Sequence, residues 1–256
     1  MGRKKSQLLM RDQYGCLVVA RRAAQVIRTR LSGVEGPHVL RVEDARYEPW
    51  GDLTEEHRNE LGAVTEHVWQ VKRQHGALTR EDMETLLGAL ARYPAVRAHL
   101  ALYSMVDVTS LGPLGVLADL CARLQEVGLD MGGDLALSKK ERVWIQLIQR
   151  LLGSSSELDA LKLLGRLELH TLGAEREYRQ GTQDLLDRYV ENAEQVHQRL
   201  MAFLAAHADG AIPMTFELLE AKVLSGVTRR LVSGSASLAL EPPCVREDVA
   251  SADAPS

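Results

Sequence analysis

The sequence predicts an all-α protein: a multi-helix bundle of about seven to nine helices, with an irregular N-terminal arm and a disordered C-terminal tail. Three observations lead there. Aromatic residues make up only 4% of the chain, and Leu and Ala supply the apolar content, which favours helix over strand. Apolar residues recur at the 3.6-residue helical period over most of the length. Helix caps and stops punctuate the same segments, so local and longer-range signals agree.

Four regions follow in chain order. Residues 1–32 form a basic N-terminal helix. Its core lies at 7–31, with Leu9, Cys16, Ala20, Ala23, Ala24, Ile27 and Leu31 on one stripe and Gly33 as the stop. Residues 33–53 are broken by Pro and Gly and read as an irregular arm. Within it His38–Val42 is the best strand candidate, paired with 45–50 as a short β-hairpin or lying extended, with Tyr47 and Trp50 as anchors. Residues 54–232 form the bundle. Thr54 opens a helix to His75, with Leu61, Val64, Val68 and Val71 inward. Thr79-x-x-Asp82 caps a helix to Arg92, Pro94 starts one over 94–107, and Pro113 starts one over 113–127. A loop at 130–134 precedes the capping box Ser138-x-x-Glu141, whose helix Gly153 closes. Ser154-x-x-Glu157 then opens a helical run through 207, with a break at Gly173, and a last helix spans 214–232. Residues 233–256 are small, polar and Pro-rich and read as the disordered tail.

Charge is segregated along the chain. Residues 1–30 carry eight basic side chains and one acid, a net charge of +7, and the other 226 carry 23 basic and 34 acidic, a net charge of −11. A cationic segment joined to an acidic body is drawn to polyanions, or to acids of its own or another copy. The three cysteines, Cys16, Cys121 and Cys244, are far apart and contain no CxxC pair, which fits a reducing compartment. The apolar run Cys16–Ala20 is too short for a signal sequence or membrane span and meets Arg21-Arg22, so the expected location is cytoplasmic, without membrane contact.

Catalytic signatures are scarce. The sequence has no GxxxxGK[ST], GxGxxG, GxSxG or HExxH. Glu191-x-x-Glu194-x-x-His197 has the helical spacing of a carboxylate-histidine metal site, but no second copy accompanies it, and a solvated helix face accounts for it. The eight histidines are scattered, with no pair at i, i+4, and no metal or cofactor is assigned. Neither helix-turn-helix candidate, 79–107 or 139–170, has a second helix fit for a major groove.

The functional expectation is therefore a non-enzymatic, nucleic-acid-associated accessory protein. It would contact a phosphate backbone through Lys4, Lys5, Arg11, Arg21, Arg22, Arg28 and Arg30. Two alternatives stand beside it: a helical scaffold or adaptor acting through self-association or a protein partner, and an all-α metal-dependent enzyme built on Glu191, Glu194 and His197.

Overall fold

The structure, a computed structural model, describes residues 13–72, 78–103, 111–127, 135–207 and 213–230. It overturns the all-α helical bundle. Eight helices flank a six-stranded mixed sheet in an α/β arrangement.

Helix α1 (Gln13–Ser32) leads into β1 (Pro37–Val42), β2 (Leu53–Arg58) and β3 (Val64–Lys72), an antiparallel meander. Helix α2 (Arg80–Ala91) then crosses to β4 (Arg97–Tyr103), parallel to β3. Helices α3 (Pro113–Val127), α4 (Lys139–Leu152) and α5 (Glu157–Leu164) make the second crossover, to β5 (Leu167–Leu172), parallel to β4. Helices α6 (Glu175–Asp187) and α7 (Ala193–Ala206), the short β6 (Met214–Thr215) and α8 (Phe216–Lys222) complete the chain. The strand order is β5-β4-β3-β2-β1-β6.

Two apolar cores sandwich the sheet. On one face Leu40, Leu53, Trp69, Val71, Ala101 and Leu172 pack against α1, α6, α7 and α8. On the other, Val68, Ala98, Leu100, Leu102 and Leu167 pack against α2, α3, α4 and α5. Helix α1 belongs to the first core on most of its circumference: Leu17, Val18, Val19, Ala20, Ala23, Ala24 and Ile27 are fully buried. The expected stripe is thus far wider than one face, because α1 lies against the sheet and three helices at once. Cys16 and Cys121 are free and buried.

The corrections have a common physical cause. The segment expected as a helix over 54–75 is β2, a turn and β3 as far as Lys72, where the described residues stop. Leu61, expected inward, is 92% exposed at the turn, where Asn59 Oδ1 accepts from the amides of Leu61 and Ala63. Within the segment 94–107, Arg97–Tyr103 is β4, and the supposed continuous helix of 157–207 is α5, β5, α6 and α7. Strands β4 and β5 are covered on both faces, so their Ala and Leu need not alternate with polar residues. The last helix, expected over 214–232, shrinks to α8 behind the short β6.

Two of the expected capping boxes are present, whereas Ser154-x-x-Glu157 is not one: Ser156 caps α5 by accepting from the Asp159 amide. Thr79 and Asp82 form a reciprocal capping box at α2, Ser138 and Glu141 form one at α4, and Gly153 ends α4 in the left-handed conformation at φ 63°. The strand expected at His38–Val42 is β1, and its partner is β2 rather than residues 45–50. Segment 130–134, the first turns at 7–12 and the tail at 233–256 lie outside the described residues.

Candidate functional site

Two polar constellations sit on opposite faces of the sheet. The first gathers at the start of β2 and the end of β3. Asp52 directly precedes β2 and is 4% exposed. Its Oδ2 accepts hydrogen bonds from the Val71 amide at 2.9 Å and from Gln70 Nε2. Gln70 is itself buried, and Lys72, two residues on and therefore on the same face of β3, ends the strand.

The backbone around Asp52 is held tightly. Its carbonyl accepts from the Glu43 amide at 3.0 Å, and the Gly51 carbonyl accepts from the Asp44 amide at 2.7 Å. Glu43 has φ +56°, an unusual conformation for a non-glycine residue, directly across from Asp52. The chain between folds through a 3-10 turn at Ala45–Tyr47 and anchors on Trp50, which is fully buried and donates from Nε1 to the Leu86 carbonyl at 2.8 Å. Gly51 is required here, because a Cβ would collide with the Asp44 backbone carbonyl.

The second constellation lies on the α1 face and runs across four strands. β2 supplies Glu55 and His57, β3 His67 and Trp69, β4 His99, and β5 Glu168 and His170. The register makes this possible: Glu55 pairs with His67, Trp69 with His99, and His99 with Glu168. His67 Nδ1 lies 3.0 Å from His99 Nε2, and His99 Nδ1 lies 2.9 Å from His170 Nε2. Glu168 Oε2 is 3.4 Å from His99 Nδ1 and 3.5 Å from His170 Nε2. The Trp69 ring stacks on His99 at 4.3 Å, and His57 stacks on His67 at 3.8 Å.

Electrostatics in this row are strongly biased. The hydrogen bond from His99 holds the Glu168 carboxyl at about 2, against a smaller upward push from burial. Burial raises Glu55, but the Arg22 charge and bonds from His57 and Arg22 overcome it and hold this carboxyl at about 2. Burial carries His67 down to about 3 and His170 down to about 4, with neighbouring His charges adding to both.

The cations expected to meet phosphate are dispersed. Lys4, Lys5 and Arg11 lie outside the described residues. Arg22 is bonded through Nε and Nη2 to both oxygens of Glu55 and stacks over Trp69 at 4.6 Å. Arg21 lies 5.3 Å over the Tyr178 ring. Arg28 is half-buried and Arg30 exposed near the end of α1. The trio Glu191, Glu194 and His197 is not a constellation either. Glu191 precedes α7, Glu194 is exposed, and His197 is buried in the core.

Sequence reasoning missed both sites because it sought helical spacings. The usable signals were period-two pairs: Gln70-x-Lys72, Glu55-x-His57 and Glu168-x-His170, which place two side chains on one face of a strand.

No protein-family model, curated protein or solved structure matches this chain. It is defined by its own geometry: a three-layer α/β/α protein with a buried carboxylate–amide pair, Asp52 and Gln70, on one sheet face and a histidine–carboxylate row on the other. Among the described residues no helix is long and apolar enough to cross a membrane.

Proposed function

We propose that the protein is a divalent-cation-dependent hydrolase of phosphodiesters, acting on nucleic acid at Asp52, Gln70 and Lys72. The observation that carries this reading is the buried Asp52 carboxylate, bonded to Gln70 and to the Val71 amide, with Lys72 two residues after Gln70 on the same face of β3. The Asp52 carboxylate and the Gln70 amide oxygen are hard donors of the kind that suits Mg²⁺ or Mn²⁺. The Gln70 amide suits either role: its nitrogen bonds Asp52 as placed, and turned over it presents its oxygen to a cation. The site also lies at the carboxyl end of β3, where the sheet changes from antiparallel to parallel pairing, a preferred place for ligands in α/β sheets.

A bound divalent cation would polarise the phosphoryl group and lower the pKa of a coordinated water. Asp52 would hold that cation through a carboxylate whose direction the Val71 amide fixes. Lys72, on the same face of β3 as Gln70, would set its ammonium against the non-bridging oxygens as charge develops on them. The water oxygen bonds to phosphorus as the bond to the leaving sugar oxygen breaks. The water gives up a proton, and the leaving oxygen takes one up from solvent. The basic residues of 1–30 other than Arg22, which is paired with Glu55, motivate the choice of nucleic acid as the phosphodiester.

The test is incubation of the full chain with duplex and single-stranded DNA and RNA, with and without Mg²⁺ or Mn²⁺. Cleavage that needs the cation, is stopped by EDTA, and falls about 100-fold or more in D52N and K72A is the expected result. Wild-type protein that cleaves none of these substrates, or a D52N variant as active as wild type, overturns the reading. A folded D52N protein that binds duplex with a steep salt dependence but does not cut separates binding from chemistry.

A further inference from the structure

We propose a second, independent metal site: His99, Glu168 and His170 bind a borderline divalent transition ion of the Zn²⁺ class. It lies on the sheet face opposite Asp52, and no side chain is shared between the two sites.

The donor geometry carries the inference. His99 Nδ1, His170 Nε2 and Glu168 Oε2 are separated by 2.9, 3.4 and 3.5 Å. An ion bonded at about 2.0–2.1 Å in a tetrahedral shell has donor-to-donor edges of about 3.3–3.4 Å, so these three atoms already outline one tetrahedral face. The β4–β5 register builds that triangle. It sets His99 beside Glu168 and sets Ala101 beside His170, and the small Ala101 side chain lets the His170 ring lean toward His99.

The surroundings are those of a built site. The His99 side chain is 5% exposed, so a polar ring is aimed into the cluster from the sheet interior. Its other nitrogen, Nε2, meets His67 Nδ1 at 3.0 Å, the second contact that orients a metal-bound imidazole. Trp69 packs against both rings, at 4.3 Å from His99 and 5.1 Å from His170. Glu168 and His170 are 27% and 34% exposed, which leaves an entry path and room for water as the fourth ligand. Two imidazoles and one carboxylate favour Zn²⁺, Co²⁺ or Ni²⁺ over Mg²⁺ or Ca²⁺.

The neighbouring triad of Glu55, His57 and His67 is the weaker donor set. Both Glu55 oxygens are bonded to Arg22, and a guanidinium in that position repels a cation. Among the described residues no guanidinium is bonded to Glu168.

The test uses the full chain without a histidine tag, stripped of metal and titrated with Co²⁺ and then Zn²⁺. Expected are one equivalent of Co²⁺ with the visible absorption of tetrahedral coordination, displacement by Zn²⁺, and no displacement by excess Mg²⁺. E168Q, which keeps the shape, and H170A, at a part-exposed ring, each weaken binding by about 10-fold or more while circular dichroism stays native. D52N gives the same tetrahedral Co²⁺ absorption as wild type, which separates this site from the phosphodiesterase reading. Folded wild-type protein that takes up no Co²⁺ or Zn²⁺ overturns the proposal. So does unchanged binding in E168Q, whether or not H170A folds.

Discussion

Arg22 of α1 and Glu55 of β2 form a bidentate ion pair beneath Trp69. Arg22 Nη2 meets Glu55 Oε2 at 2.6 Å, Nε meets Oε1, and the Glu55 side chain has no exposure. A cation that reads in sequence as a phosphate ligand is thus committed to the inside of the protein. Replacing it by methionine keeps the packing but leaves a buried carboxylate next to His57. R22M is expected to lose about 3–5 kcal/mol of stability, and R22M/E55L to recover much of it, because breaking a buried pair costs more than replacing both partners. Chemical denaturation of the two variants checks this. R22M within 1 kcal/mol of wild type would show that the pair is not a structural clamp.

Acid should unfold the metal-free protein in two stages. Burial lowers His197, alongside His67 and His170, so below about 6.5 the unfolded chain takes up the His197 proton more readily than the folded protein does. Its contribution is complete above 6.5 and fades as pH falls. Glu55 is held at about 2 against an ordinary 4.5, so its contribution is complete above 4.5 and fades between 4.5 and 2. Relative to wild type, H197L should flatten stability against pH between 6.5 and 5. The limit is about 1.4 kcal/mol per pH unit for one proton. Urea midpoints at pH 7, 6 and 5 give the answer, and parallel curves for the two proteins would refute the assignment to His197.

Gly51 links the fold to the candidate catalytic site. Any side chain there meets the Asp44 carbonyl, a backbone atom that cannot rotate away. G51A is expected to cost about 1–3 kcal/mol, in the range of overpacked sites. Because Asp52 is the next residue, phosphodiester cleavage should fall further than the folded fraction does. Equal losses in the folded fraction and in the cleavage rate would mean that Gly51 serves stability alone.

What the sequence made legible depended on the range of the interaction. The capping boxes of Thr79–Asp82 and Ser138–Glu141 lie within three residues, and both helices start where those residues place them. The strand β1 was visible in His38–Val42 because β-branched and apolar residues sit between Pro and Gly breaks. By contrast, β4 reads Arg-Ala-His-Leu-Ala-Leu-Tyr, good helix formers that become strand only because β3 and β5 pair on either side. The histidine row was hidden for the same reason. His67, His99 and His170 meet through strand registers that span more than 100 residues, and no local spacing encodes such a meeting.

Helix α1 must be tested as a core helix that also carries cations. Ile27 is fully buried against the sheet and the C-terminal helices, so I27A should cost about 2–5 kcal/mol. Deleting residues 1–31 would remove that whole core wall and unfold the protein, so truncation cannot report on nucleic-acid contact. Arg28 and Arg30 can, since both sit at the accessible end of the helix and make no ion pair among the described residues. R28E/R30E should stay within about 1 kcal/mol of wild type, as surface changes do. If these side chains neutralise phosphates, the double variant should also reduce the slope of log affinity against log salt for duplex DNA by about 1.8. A slope equal to that of wild type would place the nucleic-acid contact elsewhere, and a large stability loss would place the two arginines in the structural part of α1.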